Sequence, residues 1–215
     1  MLAFHGLESE RQVAIADMKA HREADLLIRG RYWEDGKGCM LGCLTHQNEN
    51  THERLEEMYH IPKSLGLLCD TMFEGLPKEE AMDFPVQVLE AIQAGADLTH
   101  VTNHFVVFVL RDVRPNADND GQAAIDTCIA LYQRRIAGDE PTSEEWSAAE
   151  SAAESAAESA ARSAARSAAW SAAWSAARSS AWSAAWSAAW SAAESAAWSR
   201  YRDELLRLLK DAPIP

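Results

Sequence analysis

A four-residue repeat fills about a quarter of this chain and constrains its fold more than any other feature. From Ser147 to Ser199 the sequence reads Ser-Ala-Ala-Xaa in constant register, where Xaa is Trp, Arg or Glu and Ser180 replaces one Ala. Alanine is the strongest helix former, and arginine and glutamate follow closely. Because Thr142-Ser-Glu-Glu145 fits a capping box and Pro213 lies beyond the far end, we expect one long helix over 143–210.

The large residues of the repeat do not form a fixed stripe. Four residues advance an α-helix by roughly 400°, so each Xaa lies about 40° further round than the one before it. Trp182, Trp186 and Trp190 are consecutive Xaa residues, and the Ser and Ala between them permit close approach of a second backbone. We therefore expect a homo-oligomer that assembles through residues 143–210. A helical hairpin, a solvated helix that stabilises itself and a stacking platform for nucleic acid are the alternatives.

The residues before the repeat form an acidic head that excludes several classes of partner. Residues 1–142 are long enough for one compact domain, and they carry most of the formal net charge of −13. An acidic surface repels phosphates, so we expect no nucleic-acid partner. No apolar run reaches the ~20 residues of a membrane span, and residues 1–5 do not form a signal peptide. Four unevenly spaced cysteines favour reduced thiols, so the predicted location is the cytoplasm.

The head alternates apolar segments with Gly and Pro turns, and this pattern predicts an all-α fold. We expect a compact multi-helix head domain over 1–142, the repeat helix over 143–211 and a short tail over 212–215. The segment Phe105–Leu110 has the composition of a buried strand, but no second strand of that quality exists to pair with it, so we assign it to a helix. The predicted helices are 11–28, 39–46, 53–59, 62–73, one beginning at Pro77, one beginning at Pro85, 97–110 and 121–136.

Several motifs of the head resemble a group of uncharacterised phage and bacterial proteins that carry alanine-rich repeat tails. The resemblance covers residues 1 to about 140 and implies no activity and no catalytic residue. The matching segments are His21-Arg-Glu-Ala-Asp25, Trp33-Glu-Asp-Gly-Lys-Gly-Cys-Met-Leu-Gly-Cys43 with His46, Ile61-Pro62, Phe73-Glu-Gly-Leu-Pro77 and Gly95-Ala-Asp-Leu98.

The segment from Trp33 to His46 is the best candidate for a site. If residues 39–46 are helical, Cys39, Cys43 and His46 lie at i, i+4 and i+7 on one face. Thiolate and imidazole ligands at that spacing suit zinc, with a fourth ligand from His21, His52 or His5. The spacing is not that of a standard structural zinc site, and cysteine is commonly buried, so packing of the two thiols under Trp33 is the alternative.

The same segment contains a turn with the features of a small anion site. Gly36-Lys37-Gly38 precedes a helix, where backbone N–H groups and a lysine attract negative charge. In that position Cys39 would have a lowered pKa and nucleophilic character. The predicted ligand-binding residues are Trp33, Lys37, Gly38, Cys39 and His21.

Three functions compete on this evidence. The first is an interaction or assembly protein that oligomerises through its repeat helix and presents the acidic head. The second is a module, phage-encoded by the resemblance, that sequesters a small ligand or metal through Trp33–His46. The third is a cysteine-dependent enzyme with Cys39 as nucleophile and His46 or His21 as base. The sequence favours the first and leans away from an enzyme.

Overall fold

The computed structural model describes residues 1–47, 49, 51–149, 151–152 and 180–215, with the backbone alone for 180–194. This part of the chain is mostly helical, and it contains one small two-stranded hairpin. The prediction of an all-α protein is therefore confirmed at that level. The repeat helix lies in part outside the described residues: helix is observed at 143–149, at 151–152 and from Ser180 to Lys210.

The chain divides into two compact units whose boundaries differ from the predicted domains. The first unit contains residues 1–102 together with 195–215, and the second contains 103–194. The predicted boundary at 142 lies inside the second unit, and the end of the repeat region belongs with the first. Residues 195–215 thus group with the first unit, where Leu205, Leu209 and Ala212 are buried.

Five helices build most of the first unit, and their apolar faces meet in one core. Helix α1 packs on α2 and α5, and α2 also packs on α3 and α4. The bounds are Glu8–Glu23 for α1, Met40–Thr45 for α2, Thr51–Tyr59 for α3, Lys63–Gly75 for α4 and Lys78–Ala91 for α5. All six residues of α2 are buried, so this short helix lies at the centre of the unit.

Several predicted helix boundaries are wrong. Helix α1 ends at Glu23 and not near Ile28, because Asp25 takes a left-handed conformation with φ of 55° and the chain turns toward the hairpin. Pro85 does not begin a helix but lies inside α5, where its buried ring packs in the core and offsets the missing N–H. The segment Phe105–Leu110 is helical as predicted, within α6, Val101–Val113, which begins and ends later than the predicted 97–110.

A hairpin between α1 and α2 positions the residues of the candidate site. Strand β1, Trp33–Glu34, pairs antiparallel with β2, Lys37–Gly38. Asp35 and Gly36 connect them with φ of 52° and 80°, and Asp-Gly is a preferred pair for a tight turn with two positive φ angles. The hairpin leads directly into α2.

The end of the last helix completes the core of the first unit. Helix α9, Ser180–Lys210, places Leu205 and Leu209 in fully buried positions. Arg202 forms an ion pair with Glu80 of α5, and the backbone N–H of Asp97 donates to Pro213 O at 2.8 Å. A four-residue spacing of leucines after the repeat therefore serves tertiary packing.

The second unit contains most of α6, all of α7 and the start of α8. Helix α6 spans Val101–Val113 and belongs to this unit from its third residue onward, α7 spans Asn119–Ile136, and α8 begins at residue 143. The capping box predicted for α8 is present: Thr142 N donates to Glu145 Oε2 at 2.8 Å, and Glu145 N donates to Thr142 Oγ1 at 3.2 Å. Trp146, the residue just before the first Ser-Ala-Ala unit, packs edge-on against Tyr132 with ring centroids 4.9 Å apart.

Candidate metal centre

Asp17, His21 and His46 converge where α1 meets the end of α2. One carboxylate oxygen of Asp17 and one ring nitrogen from each histidine lie within 4.8 Å of one another. His21 Nδ1 is 3.7 Å from Asp17 Oδ1, and His46 Nε2 is 3.6 Å from Asp17 Oδ2. The Asp17 carboxylate therefore lies close to both imidazoles.

Local structure explains how each side chain reaches the cluster. Asp17 and His21 are one helical turn apart on α1, so they lie on the same face. His46 ends α2 in a left-handed conformation, with φ of 53° and ψ of 38°. Because the His21 side chain is only 10% exposed while the His46 side chain is 51% exposed, the cluster has one buried side and one side open to solvent.

Trp33 packs against both histidines. Its ring centroid is 4.8 Å from that of His46 and 5.8 Å from that of His21, and the two imidazole centroids are 5.2 Å apart. Strand β1 holds Trp33 there through its pairing with Gly38. The indole covers part of the cluster with apolar surface, which lowers the local dielectric and strengthens electrostatic contacts.

The structure keeps three of the predicted site residues together and separates the others. His21, Trp33 and His46 lie side by side, as expected for one local site. The Cys43 Sγ instead donates to Gly38 O at 3.5 Å, and burial raises the pKa of its thiol to about 12. Cys39 belongs to the wall of a separate cavity. Among the described residues, neither cysteine joins the group of metal-ligand atoms.

The prediction of a lowered pKa at Cys39 is wrong. Burial raises the pKa of this thiol to about 12, with a smaller contribution from the nearby Asp70 carboxylate. The thiol precedes α2, but that helix has six residues and lies fully inside the core. Desolvation of the thiolate therefore outweighs any stabilisation by the helix N-terminus.

The predicted anion site at Gly36-Lys37-Gly38 also differs from the structure. Gly38 N donates to Leu26 O at 3.0 Å and Cys39 N donates to Arg31 O at 2.8 Å, so these two N–H groups are already used. Lys37 is exposed on β2. The hairpin uses its backbone for tertiary contacts.

Asp17 is the member of this cluster that the motif-based prediction misses. Its signal is visible in the sequence, because Asp17 and His21 both interrupt the apolar stripe of α1 one turn apart. The two other histidines considered as a fourth ligand lie elsewhere. His52 packs edge-on against Tyr32, and His5 stacks on His60.

Two imidazoles and one carboxylate form a donor set for a divalent first-row metal ion. This combination is known from sites that leave further coordination positions open. Nitrogen and oxygen ligands bind zinc at about 2.1 Å, so two ligands on one ion are at most about 4.2 Å apart. The 3.6 Å distance from His46 Nε2 to Asp17 Oδ2 is within that range. His21 would bind the ion through Nε2, because its Nδ1 lies 2.9 Å from the backbone oxygen of Asp17 and donates to it.

Comparison of the chain with protein-family models, with curated proteins and with solved structures found no match in any of the three. None of the helices in the described ranges combines the length and apolar character that crossing a bilayer requires.

Proposed function

We propose that the first unit is a metal-binding module that holds a divalent transition-metal ion between Asp17, His21 and His46, with zinc as the expected ion. The observation that carries this proposal is the convergence of three ligand atoms from α1 and from the end of α2. Asp17 and His21 are one turn apart on α1, whereas His46 lies 25 residues further along the chain than His21, and the fold brings it to them.

The environment of His21 supports the role. Its Nδ1 lies 2.9 Å from the backbone oxygen of Asp17, a contact in which the ring donates through Nδ1–H. A neutral imidazole with one nitrogen hydrogen-bonded to a carbonyl is the usual form of a metal-binding histidine. The buried ring is also held in place by its contact with Trp33.

Ligand binding fits this unit better than cysteine-dependent catalysis. Cys39 and Cys43 both have pKa values raised to about 12 by burial, so their thiols stay protonated near neutral pH. A protonated, buried thiol is a poor nucleophile. The metal cluster instead has an open side at His46, from which an ion enters.

The proposal is tested by titrating the full-length chain, first stripped of metal with a chelator, with Zn²⁺ in a calorimeter. We expect one ion per chain, and at least about tenfold weaker binding in Asp17→Asn and His46→Gln. The matched control is His5→Gln, which changes an exposed histidine outside the cluster. Equal affinity in all four proteins would overturn the proposal, as would a loss of binding in Cys43→Ala that Asp17→Asn does not share.

We also propose that the repeat gives the protein its second property, self-association. Helix α9 is helical from Ser180, so Trp182, Trp186 and Trp190 follow one another at single-turn intervals along it. Trp146 and Trp198, which lie near the two ends of the repeat, pack against other parts of the chain. Trp146 contacts Tyr132, and the Trp198 ring lies so close to Gly75 that an added Cβ there would be 2.5 Å from it. The structure describes only the backbone of residues 182–190. We propose that the side chains of these three tryptophans form the interface between chains.

Sedimentation of the full-length chain tests this assembly. We expect an oligomer that dissociates when Trp182, Trp186 and Trp190 are all replaced by Ala. The control replaces Ser183, Ser187 and Ser191 by Ala on the same helix and should stay oligomeric. A monomeric wild-type chain, or a triple tryptophan variant that assembles like the wild type, would refute assembly through the repeat.

A further inference from the structure

A cavity of about 360 Å³ lies on the other side of the segment that carries Trp33. Its wall is formed by Gly30, Arg31, Tyr32, Cys39, Asp70 and Glu74. The volume is at the lower end of the range for small-molecule sites. Tyr32 faces this cavity while the next residue, Trp33, faces the metal cluster, so one extended segment separates two sites.

The polar groups of the cavity wall are mainly acidic. Asp70 and Glu74 are one turn apart on α4. Asp70 accepts a hydrogen bond from the Tyr32 hydroxyl, and Glu74 Oε1 accepts one from Gly30 N at 2.8 Å. Among the described residues of the wall Arg31 is the one cation, and it forms an ion pair with Glu34 outside the cavity. The wall therefore presents net negative charge to whatever enters.

One oxygen of Asp70 is buried without a matching donor. Asp70 Oδ1 is inaccessible to solvent and has no hydrogen-bond partner among the described residues. A buried acceptor without a donor costs about 1–3 kcal/mol, and more when the group is charged. Because this oxygen is inaccessible even to water, a ligand in the cavity is attracted by the negative charge of the Asp70 carboxylate and does not bond to Oδ1.

The geometry favours an organic cation over a metal ion. The described residues contain a single group of three metal-ligand atoms within 4.8 Å, and it is the cluster at Asp17. Cys39, Asp70 and Glu74 therefore do not close around one small ion. The Tyr32 ring lines the cavity and makes a T-shaped contact with His52 at a centroid distance of 5.7 Å, and an aromatic ring attracts cations.

We propose that this cavity is a second binding site, for a small organic cation with a primary ammonium or guanidinium group. The cationic head pairs with Asp70 and Glu74, and its apolar stem lies along Tyr32 and Cys39. The cavity volume limits the ligand to a small molecule with a short chain. The site is independent of the metal cluster, because it uses none of that cluster's three ligands.

The experiment is a calorimetric and NMR titration of the full-length chain, in EDTA, with butylammonium and with propylguanidinium. Butyrate, which has the same length and the opposite charge, is the control probe. We expect saturable binding of at least one cation, no binding of butyrate, at least tenfold weaker binding in Asp70→Asn and about threefold or greater weakening in Glu74→Gln. Glu57→Gln, on the exposed face of α3, should bind like the wild type.

Because Glu74 is exposed, we expect Glu74→Gln to fold even if Asp70→Asn does not. Either variant alone is therefore enough to test the proposed cation site. No saturable binding of either cation at millimolar concentration, equal binding of butyrate, or unchanged affinity in both cavity variants would overturn the proposal and leave a water-filled cavity. Because EDTA keeps the metal cluster empty, failure here is distinguishable from failure of the zinc proposal.

Discussion

The carbonyl oxygen of Tyr32 lies directly against Gly42, so that a Cβ added to Gly42 would be only 1.4 Å from it. Gly38 has the same relationship to this oxygen, at 1.9 Å. Two glycines of the segment 38–43 thus allow the extended chain at 31–33 to lie on the start of α2. This contact directs Tyr32 and Trp33 to opposite sides and so places both candidate sites.

Gly42→Ala should destabilise the first unit strongly. The added methyl group meets backbone that cannot move aside, so we expect a loss of at least about 3 kcal/mol in the free energy of unfolding, despite the better helix propensity of alanine. Gly66→Ala on α4 is the matched control, because its Cβ meets the tip of the Leu55 side chain at 2.8 Å. Urea unfolding measures both, and a Gly42→Ala loss no larger than that of Gly66→Ala would contradict the close approach.

Truncation of the buried leucines near the C-terminus should destabilise the protein. Leu205→Ala and Leu209→Ala each remove a fully buried side chain, and we expect losses of about 2–5 kcal/mol each. Leu208→Ala, on the same helix but only half-buried, should cost about 1 kcal/mol. Equal small effects in all three variants, measured by thermal and urea unfolding, would show that residues 195–215 are not part of the core.

The stability of the protein should decrease as the pH rises above about 9. Cys39, Cys43 and Cys69 have pKa values of about 12 in the folded chain because they are buried, whereas an unfolded thiol titrates near 8.5. Between these values the unfolded chain releases protons that the folded chain retains, so rising pH favours unfolding. Urea melts from pH 7 to 10.5 test this, and Cys69→Ala should reduce the slope. A flat profile above pH 9 in the wild type would contradict it.

Thr142→Ala should loosen the start of the repeat helix. The change removes the hydrogen bond that Thr142 Oγ1 accepts from Glu145 N, which stabilises a helix end by about 1 kcal/mol. Hydrogen exchange of the amides at 144–149 should accelerate by roughly fivefold, while those of α7 stay unchanged. Ser143→Ala, which leaves both capping hydrogen bonds intact, is the control; equal exchange in the two variants would argue against the cap.

Structural features that depend on residues close together in the sequence could be predicted from it. The capping box at Thr142 follows from a local pattern and is present. The local composition of Phe105–Leu110 resembles a strand, and its helical character was predicted only because no second strand exists to pair with it. The spacing of the leucines after Ser199 also indicates a packed helix face. The repeat before them continues into the same helix, so the sequence shows no boundary between the repeat and the packed segment. The domain division consequently could not be read from composition alone.

Features set by tertiary packing were not predictable from the Trp33–His46 motif. The motif supplied His46 and Trp33, but the carboxylate between the two histidines comes from α1, which reaches the site only through helix packing. The pKa of the Cys39 thiol depends on how deeply α2 is buried, and the spacing of residues in the motif does not reveal that depth. Interruptions of an apolar stripe by polar residues one turn apart, as at Asp17 and His21, are the signal that would have pointed to the cluster.

The most direct test of the metal proposal is an anomalous difference map from crystals of the full-length protein grown with Zn²⁺, with data collected just above and just below the zinc absorption edge. We predict one strong peak that disappears below the edge and lies about 2.1 Å from a ring nitrogen of His21, a ring nitrogen of His46 and a carboxylate oxygen of Asp17. A map with no peak among these three residues, or with its peak at Cys39 and Cys43, would contradict the proposal.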